Sequence, residues 1–311
     1  MHSGAGYIYL PEGRRVLKQP LSCIPSAAAL QCRKEQHMQD ISSHKFFFTA
    51  FFESFLAREE EDKAPLRLKY EHSMRVFAHA ERLAGDGEFA AATERLPLPL
   101  SLLKRAALLA ALYHDVARFP QFFRWRTFRD TQSVNHGHFG VKILKAEAAL
   151  KAERPELRRL VQSALILHNR YSLPPTLPPD IRLIADVVRD ADKLDICRVI
   201  AAHLASGEAR SSTVLLSVQD DPELFTPKVL EDALARRVAA YTDLRSVNDF
   251  RVLLGTWQYD LRFACSRRKL AGEGHLQRLL EELPPLPALR AAREQLLDDL
   301  KPYQHRHASS K

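Results

Sequence analysis

Residues 112–119 read LYHDVARF, so a histidine stands directly before an aspartate at the end of an apolar run. The run predicts a buried helix over residues 100–117. Burying both polar side chains costs free energy unless each of them has a partner. A salt bridge, a helix cap or a metal ion would offset that cost, and the rest of the chain decides between them.

The composition of the 311-residue chain favours helices. Of its residues 46% are hydrophobic and 27% are charged, and only 11 are glycine. These values are typical of a globular protein, and the abundance of Ala, Leu, Arg and Glu favours helix over sheet. We therefore predict an all-α fold.

Apolar periodicity places the individual helices along the chain. Residues 85–99 are predicted as a loop, residues 118–132 as an irregular segment, and Ser133 as the cap of the helix that follows. The predicted helices cover residues 42–59, 66–84, 100–117, 133–151, 155–169, 180–204, 227–241, 245–270, 275–282 and 286–301.

The same patterns divide the chain into four parts. Residues 1–40 lack periodicity and predict a flexible leader, with Met38 as an alternative start of the protein. Residues 41–205 are predicted to form the catalytic helical domain. Residues 206–305 are predicted to add helices that pack on the same domain, and residues 306–311 form a tail.

Charge and cysteine content limit the partners that we expect. The net charge is +8, but arginine is spread through every segment without a block of basic residues, which does not favour nucleic acid. No stretch of 18 apolar residues occurs, so no membrane span is expected. None of the four cysteines forms a CxxC pair, so we expect reduced thiols and a cytoplasmic location.

Ionisable side chains recur inside the apolar patterns of five successive predicted helices. Taken singly, each is more often a satisfied core residue or an ion-pair partner than a metal ligand; Asp192, for example, could pair with Arg189 or Lys193. Taken together, hard donors on converging helices form a coordination shell. The residues in these patterns are His72, His114, Asp115, His136, His138, His168, Asp190, Asp192 and Asp195.

This set offers nitrogen and oxygen donors and no thiolate. A mixture of imidazole and carboxylate suits Mn, Fe, Co, Ni or Zn better than Mg. A divalent metal, as one or two ions, would also offset the cost of burying His114 and Asp115.

The order of these residues resembles the HD-domain metal-dependent phosphohydrolase superfamily. The resemblance covers roughly residues 66–200 and includes the HxxxG pattern of His136 and Gly140. It implies an HD-domain-like helical bundle with additional C-terminal helices. The stretch HDVARFPQ and WQYDLRF at residues 257–263 are similar to a subgroup of small bacterial HD-domain proteins. The motifs that carry the resemblance are YEHSMRV, LYHDVARF, NHGHFGVKIL, LILHNR and DADKLD.

The resemblance implies a role for each matching position. His72, His114, Asp115 and Asp192 would hold a first metal ion. Asp115 would bridge to a second ion, held by His136 and His168. His138 is a rival of His136, and Asp190 is a rival of Asp192; the family pattern favours His136 and Asp192.

The implied chemistry is hydrolysis of a phosphoester or phosphoanhydride bond by a metal-activated water. Asp115, Arg118 and Lys193 are the expected catalytic residues, with the two cations near the developing negative charge. Plain solvated surface is the alternative for the arginines that follow the His-Asp pair. The expected substrate-binding residues are Arg118, Gln121, Arg124, Arg126, Asn169 and Arg170.

Three functions remain open at this point. The first is a phosphohydrolase that acts on a small phosphorylated molecule, with a nucleotide as one candidate. The second is a di-iron oxygenase, because some HD-domain proteins use the same ligands to activate dioxygen. The third is a nucleic-acid or nucleotide binding module without catalysis.

The known substrate branches of the superfamily are not supported by the sequence. The stringent-response nucleotide hydrolases have an acidic pair just after the His-Asp motif, where this chain has VARF. The Gly-Tyr-Pro motif of the cyclic-dinucleotide phosphodiesterases is absent. The segment ARFPQFF also differs from the small-residue and Pro-rich sequence of the deoxynucleotide triphosphohydrolases.

Overall fold

The computed structural model describes residues 40–205 and 218–304, together with the backbone of two short strands near the N-terminus. These strands, Tyr7–Tyr9 and Arg15–Leu17, pair antiparallel. Apart from these strands and Asp40, the predicted leader lies outside the described residues, as do Met38 within it and the tail at residues 306–311. Helices make up most of the described chain, so the all-α prediction is confirmed.

The helices are numbered in chain order. The N-terminal ones are α1 (Ile41–Leu56), α2 (Ala64–Gly85), α3 (Gly87–Thr93), α4 (Leu100–Tyr113), α5 (Arg118–Trp125), α6 (His136–Ala146) and α7 (Pro155–Leu167). The long α8 (Pro179–Ala205) is followed by α9 (Pro227–Leu234), α10 (Val247–Thr256), α11 (Ala264–Gly272), α12 (His275–Glu281) and α13 (Pro287–Gln304).

The prediction of an irregular segment over residues 118–132 was wrong in its first half, where α5 forms. Pro120 lies in the first turn of this helix, where its missing N–H costs nothing. Phe119 and Phe122 are buried and anchor α5 against the core. Aromatic and arginine residues alternate in this segment, so its short apolar face does not show a clear helical period in the sequence.

Two boundaries also differ because of local capping. The predicted loop at residues 85–99 contains α3, which begins where the Asp86 carboxylate accepts a hydrogen bond from the backbone N–H of Glu88. Ser133 does not cap α6. Asn135 does so, and its side chain accepts a hydrogen bond from the backbone N–H of His138.

The single helix predicted over residues 245–270 is broken into α10 and α11. The Asp190 carboxylate of α8 accepts hydrogen bonds from the backbone N–H groups of Arg262 and Phe263. Those N–H groups are therefore not available for helical bonds, and the chain stays extended at Phe263 before α11 starts. This break depends on a long-range contact that local periodicity does not contain.

The apolar core has two clusters that share α8. The first cluster surrounds α4, which packs against α2, α7 and α8, and α4 contributes fully buried alanines that let its neighbours approach closely. Residues of α8 up to Ala191 belong to the first cluster, and those from Leu194 onward belong to the second, with α9, α10, α12 and α13. The predicted domain boundaries stay a prediction.

No helix in the described ranges combines the length and the apolarity that a membrane span requires.

A buried polar network fixes α1 to α4 and to the chain after α6. His44 is fully buried, and its ring lies 2.9 Å from both the Tyr113 hydroxyl and a carboxylate oxygen of Glu153. Arg105 donates two hydrogen bonds to the same carboxylate. Because the Glu153 carboxylate is almost fully buried, this network depends on its negative charge.

Replacement of Glu153 by glutamine (E153Q) should lower the free energy of unfolding by about 2–3 kcal/mol at neutral pH, since one donor of His44 or Arg105 then faces an amide N–H. Urea-induced unfolding followed by circular dichroism measures the change. The exposed Glu81 on α2 provides the matched control, and E81Q should change stability by less than about 0.5 kcal/mol.

The effect of E153Q should depend on pH. Burial alone would raise the pKa of Glu153, but hydrogen bonds from Arg105 and His44 lower it below its ordinary value. A carboxylate with a lowered folded-state pKa stabilises the fold above its unfolded-state pKa of about 4.3, and that stabilisation is lost as the pH falls through the folded-state pKa. A difference from wild type that stays constant well below about pH 4 would contradict this role.

Candidate metal centre

The His-Asp pair lies in the turn that connects α4 to α5. Helix α4 ends at Tyr113, and the next residues form tight turns, in which Val116 N–H donates to the Tyr113 carbonyl and Arg118 N–H to the Asp115 carbonyl. The turn redirects the chain while His114 and Asp115 remain buried. Both side chains therefore point into the protein at the end of its central helix.

Four further polar side chains surround this turn. His72 comes from the middle of α2, His136 is the first residue of α6, His168 directly follows α7, and Asp192 lies in α8. The three histidines are buried and Asp192 is partly buried. All six ligand positions implied by the sequence thus lie around one point, although they span more than a hundred residues of the chain.

The donor atoms form two groups that share Asp115. In each of the triads His72–His114–Asp115 and Asp115–His136–His168, the ligand atoms lie within 4.8 Å of one another and could hold a metal ion. Asp115 Oδ2 is 3.8 Å from the Nε2 atoms of His72 and His114, whereas Oδ1 is 3.4 Å from His136 Nε2. One carboxylate therefore faces both groups.

Asp192 adds a second carboxylate to the first group. Its Oδ1 atom lies 3.0 Å from His72 Nε2 and 3.7 Å from His114 Nε2. This oxygen is buried, and with His72 neutral it has no hydrogen-bond donor among the described residues. A buried carboxylate oxygen without a donor is costly, and a cation between it and the imidazoles would remove the cost.

In each of the four histidines the outer ring nitrogen, Nδ1, is hydrogen-bonded to the protein, which leaves the inner nitrogen, Nε2, free to bind a metal ion. His114 Nδ1 and His168 Nδ1 each lie 2.8 Å from a backbone carbonyl three residues earlier, so both must donate. His72 Nδ1 and His136 Nδ1 each lie 2.7 Å from a carboxylate, of Asp195 and Asp130 respectively. In the neutral imidazoles all four Nε2 lone pairs therefore point inward.

These inward lone pairs lie too close together to be stable alone. His72 Nε2 is 3.2 Å from His114 Nε2, and His136 Nε2 is 2.9 Å from His168 Nε2. Two acceptors at such distances repel each other unless a proton or a metal ion lies between them. The residues present therefore fit divalent metal ions, with nitrogen and oxygen donors already oriented.

The pKa directions favour the neutral, metal-binding form for three of the four histidines. Burial lowers the pKa of His168 to about 3, and burial also lowers the pKa values of His114 and His136, so these rings stay neutral. Burial opposes a charge on His72, but hydrogen bonds with Asp192 and Asp195 raise its pKa, so a proton competes with a metal ion at this ring. Burial would raise the pKa of Asp115, yet nearby cations, first Lys69, hold it well below its usual range.

The comparison with protein families agrees with this geometry. A family model of the HD domain matches residues 70–219. Residues 70–219 are therefore an HD domain, and the match supports membership in the HD-domain superfamily. The matched residues are called the HD domain below, and they contain all six donors. A search of curated proteins and a search of solved structures both gave no significant match.

His138 and Asp190, the alternatives to His136 and Asp192 in the sequence, lie outside the two donor groups. His138 is exposed on α6, two residues after the buried His136. Asp190 accepts hydrogen bonds from the backbone after α10, whereas Asp192 lies against His72 and His114. The preference for His136 and Asp192 is thus consistent with where their side chains lie.

Arg118 lies beside Asp115 and contacts the protein mainly through Nε and Nη1, while its Nη2 lies 3.4 Å from His136 Nε2. It donates to Asp115 Oδ1 over 3.2 Å, to Gln121 Oε1 over 2.8 Å and to Asp130 Oδ1 over 3.1 Å. It also donates to the Phe128 carbonyl over 2.6 Å. The side chain therefore fixes the segment after α5 against the shared carboxylate.

Two of the predicted substrate-binding residues hold Asp130 in place. Gln121 is fully buried and donates to Asp130 Oδ1 and to the Ser133 hydroxyl. Asn169 donates to Asp130 Oδ2 over 3.2 Å. Since Asp130 in turn orients His136, both residues act on the geometry of the second donor group.

The other predicted cations lie outside the donor groups. Lys193 donates to Asp260 Oδ2 over 2.6 Å, and Arg126 pairs with Glu59 and Glu61. The guanidinium of Arg124 lies 4.9 Å from the ring centroid of Trp125. Arg170 is exposed next to Asn169.

Sequence reasoning missed Lys69 and Gly137, and it singled out Asp195 only as one of the polar residues within the apolar patterns. Lys69 and Asp195 each lie three residues from a ligand on the same helix, so helical spacing contained that signal. Gly137 follows His136 directly, but the family pattern drew attention to Gly140 instead.

Gly137 allows α6 to approach α7 closely enough for His136 and His168 to meet. A Cβ atom at Gly137 would lie 2.3 Å from the Leu165 carbonyl oxygen, which accepts the hydrogen bond of His168 Nδ1. At Gly140 the closest atom is a side-chain carbon of Leu165, at 3.3 Å. Backbone cannot move as a side chain can, so Gly137 is the stricter position.

Replacement of Gly137 by alanine (G137A) should destabilise the protein by about 2–3 kcal/mol, because α6 must move away from the Leu165 carbonyl. Metal binding at the second donor group should weaken with it. Urea-induced unfolding and the stoichiometry of bound metal measure both effects. Gly85 has nothing within 4 Å of an added Cβ atom, so G85A should change neither quantity. A fully stable G137A variant would show that the close approach is not needed.

Asp195 orients His72 through the ring nitrogen that faces away from the centre. Its fully buried carboxylate accepts hydrogen bonds from His72 Nδ1 over 2.7 Å, from Arg75 over 2.7 Å and from Arg198 over 2.9 Å. Such partners fix the ring plane of a ligand and increase its basicity.

Replacement of Asp195 by asparagine (D195N) should weaken metal binding 10- to 100-fold, since the amide cannot accept all three donors. Titration calorimetry of the metal-free protein with Mn²⁺ measures the affinity. The exposed Asp298, paired with Lys301, gives the matched control D298N. Wild-type affinity in D195N would mean that the ring of His72 needs no support.

Proposed function

We propose that this chain is a metal-dependent phosphohydrolase that cleaves a phosphoester or phosphoanhydride bond in a small phosphorylated molecule, with nucleotides as the first candidates. The observation that carries the proposal is the shared carboxylate of Asp115, faced by two pairs of imidazoles and by the cations Lys69 and Arg118. Hydrolysis of phosphorylated substrates is the activity usual for HD domains.

The residues divide into two sets of ligands in this proposal. His72, His114, Asp115 and Asp192 would hold one divalent ion, and Asp115, His136 and His168 would hold the other. Imidazole with carboxylate favours Mn, Fe, Co, Ni or Zn over Mg. Bound metal ions would supply a water of near-neutral pKa as the nucleophile and positive charge for the phosphoryl oxygens.

The chain's own groups prepare the site for that chemistry. The four outer nitrogens keep every Nε2 lone pair directed at the centre, so little reorganisation is needed on metal binding. Arg118 fixes one oxygen of Asp115 and supplies a permanent positive charge beside it. The burial of the donors limits competing hydrogen bonds from bulk water and strengthens each electrostatic contact.

The test compares two neighbouring histidines. Purified protein loaded with Mn²⁺ should release phosphate from p-nitrophenyl phosphate or from at least one member of a nucleotide panel. Replacement of the buried His136 by glutamine (H136Q) should lower the rate at least about 100-fold. Loss of a residue that only hydrogen-bonds to a metal ligand already lowers activity about 10- to 100-fold, and loss of the ligand itself should cost more. The exposed His138 lies on the same turn of α6, and H138Q should keep wild-type activity.

Two outcomes would count against the proposal. If H138Q and H136Q lose activity equally, the donor group described here is not the active centre. If the protein binds metal but hydrolyses no compound of the panel, hydrolysis loses its support. Consumption of dioxygen by the iron-loaded protein would then favour the oxygenase alternative, for which the same imidazole and carboxylate ligands serve.

A further inference from the structure

Lys69 places an ammonium group directly on the shared carboxylate. It lies one helical turn before His72 on α2, and its Nζ atom is 2.9 Å from Asp115 Oδ2. The side chain of Lys69 is 19% exposed, whereas that of Asp115 is 4% exposed. The ammonium therefore lies at the edge of the centre, between the buried carboxylate and the solvent.

This ammonium retains more free hydrogen-bond donors than the guanidinium of Arg118 does. An ammonium group has three donors, and within the described chain the structure gives Lys69 one hydrogen bond, to Asp115. In the guanidinium of Arg118, Nε and Nη1 donate to four groups of the protein, and Nη2 lies 3.4 Å from His136 Nε2. The ammonium of Lys193 lies against Asp260. Lys69 is thus the cation best placed to donate to a bound ligand here.

The position of Lys69 also sets up a competition. Asp115 Oδ2 faces both His72 and His114, so a metal ion in the first donor group would bind near this oxygen. The ammonium and the metal ion are both positive, and at such short distance they repel each other. A negatively charged oxygen bound between them would interact favourably with both and remove the repulsion.

We propose that Lys69 binds an oxygen of the substrate's phosphoryl group and thereby couples oxyanion binding to metal binding. The inference rests on the proposed function, since it takes the oxyanion to be the phosphoryl group that the centre hydrolyses. Lys69 makes the metal-loaded centre selective for an oxyanion such as phosphate. By reciprocity, the oxyanion tightens the binding of the metal by the same factor.

The experiment measures this coupling without turnover. Mn²⁺ is titrated into the metal-free full chain by calorimetry at micromolar concentrations, with and without inorganic phosphate. In wild type, phosphate should tighten Mn²⁺ binding by about 10-fold or more, within the usual range of coupling between sites. Replacement of Lys69 by methionine (K69M) should reduce that factor to less than about 3-fold, while Mn²⁺ affinity without phosphate stays equal or increases.

Two further variants control for charge and for folding. K69R retains a cation at the same position and should keep most of the coupling. Lys45 on α1 has its ammonium 3.9 Å from the ring centroid of Phe77 and contacts no metal ligand, so K45M should behave as wild type. Thermal unfolding of each metal-free variant verifies that it is folded, and K69R provides the comparison if K69M is not.

The outcomes separate this inference from the proposed function. Wild-type coupling in K69M, absence of coupling in wild type, or loss of Mn²⁺ binding in K69M without phosphate would each overturn the role of Lys69. If the coupling depends on Lys69 but no phosphorylated compound is hydrolysed, only the hydrolase proposal fails. If hydrolysis occurs and K69M couples as wild type does, only the role of Lys69 fails.

Discussion

The ionised carboxylate of Asp115 is the group on which the centre depends. It is buried at the end of the central helix, where burial would raise the pKa of a carboxyl group, and yet the adjacent Lys69 and Arg118 keep that pKa well below its usual range. Its two oxygens face two different imidazole pairs. Removal of this charge would leave inward lone pairs facing one another with only Asp192 to attract a cation. The carboxylate thus makes one centre out of two donor groups.

The same local hydrogen bond at a helix end orients two of the candidate ligands, His114 and His168. His114 follows the last residue of α4 and His168 follows the last residue of α7, and each ring donates through Nδ1 to the carbonyl three residues earlier. Carbonyls in the last turn of a helix lack intrahelical partners, so they are available as acceptors. The imidazole satisfies one of them and at the same time has its Nε2 atom turned away from the helix. Helix ends therefore fix both the position and the tautomer of these two ligands.

The sequence was sufficient for the helical class and for the ordered donors, because both depend on local pattern. Periodicity marks α2, α4, α7 and α8, and a polar side chain inside an apolar face is visible without a structure. The break between α10 and α11 was not predictable in this way, since it depends on Asp190, more than seventy residues earlier in the chain. Gly137 was missed for a similar reason: its importance lies in the carbonyl of another helix. Contacts between distant segments of the chain were the features that local sequence pattern could not predict.

Helix α8 shows how such contacts join the HD domain to the helices that follow it. In an α-helix, residues two apart point in very different directions and residues three apart share a face. Asp190 accordingly faces the backbone after α10, whereas Asp192 and Asp195 face His72 from two sides. The buried Arg189, on the same turn, donates to the carbonyl of His168 and to Asp260. Two segments that carry candidate metal ligands are therefore tied to the C-terminal helices through α8. The packing of those helices thus contributes to the geometry of the centre, even though the HD-domain match ends at residue 219.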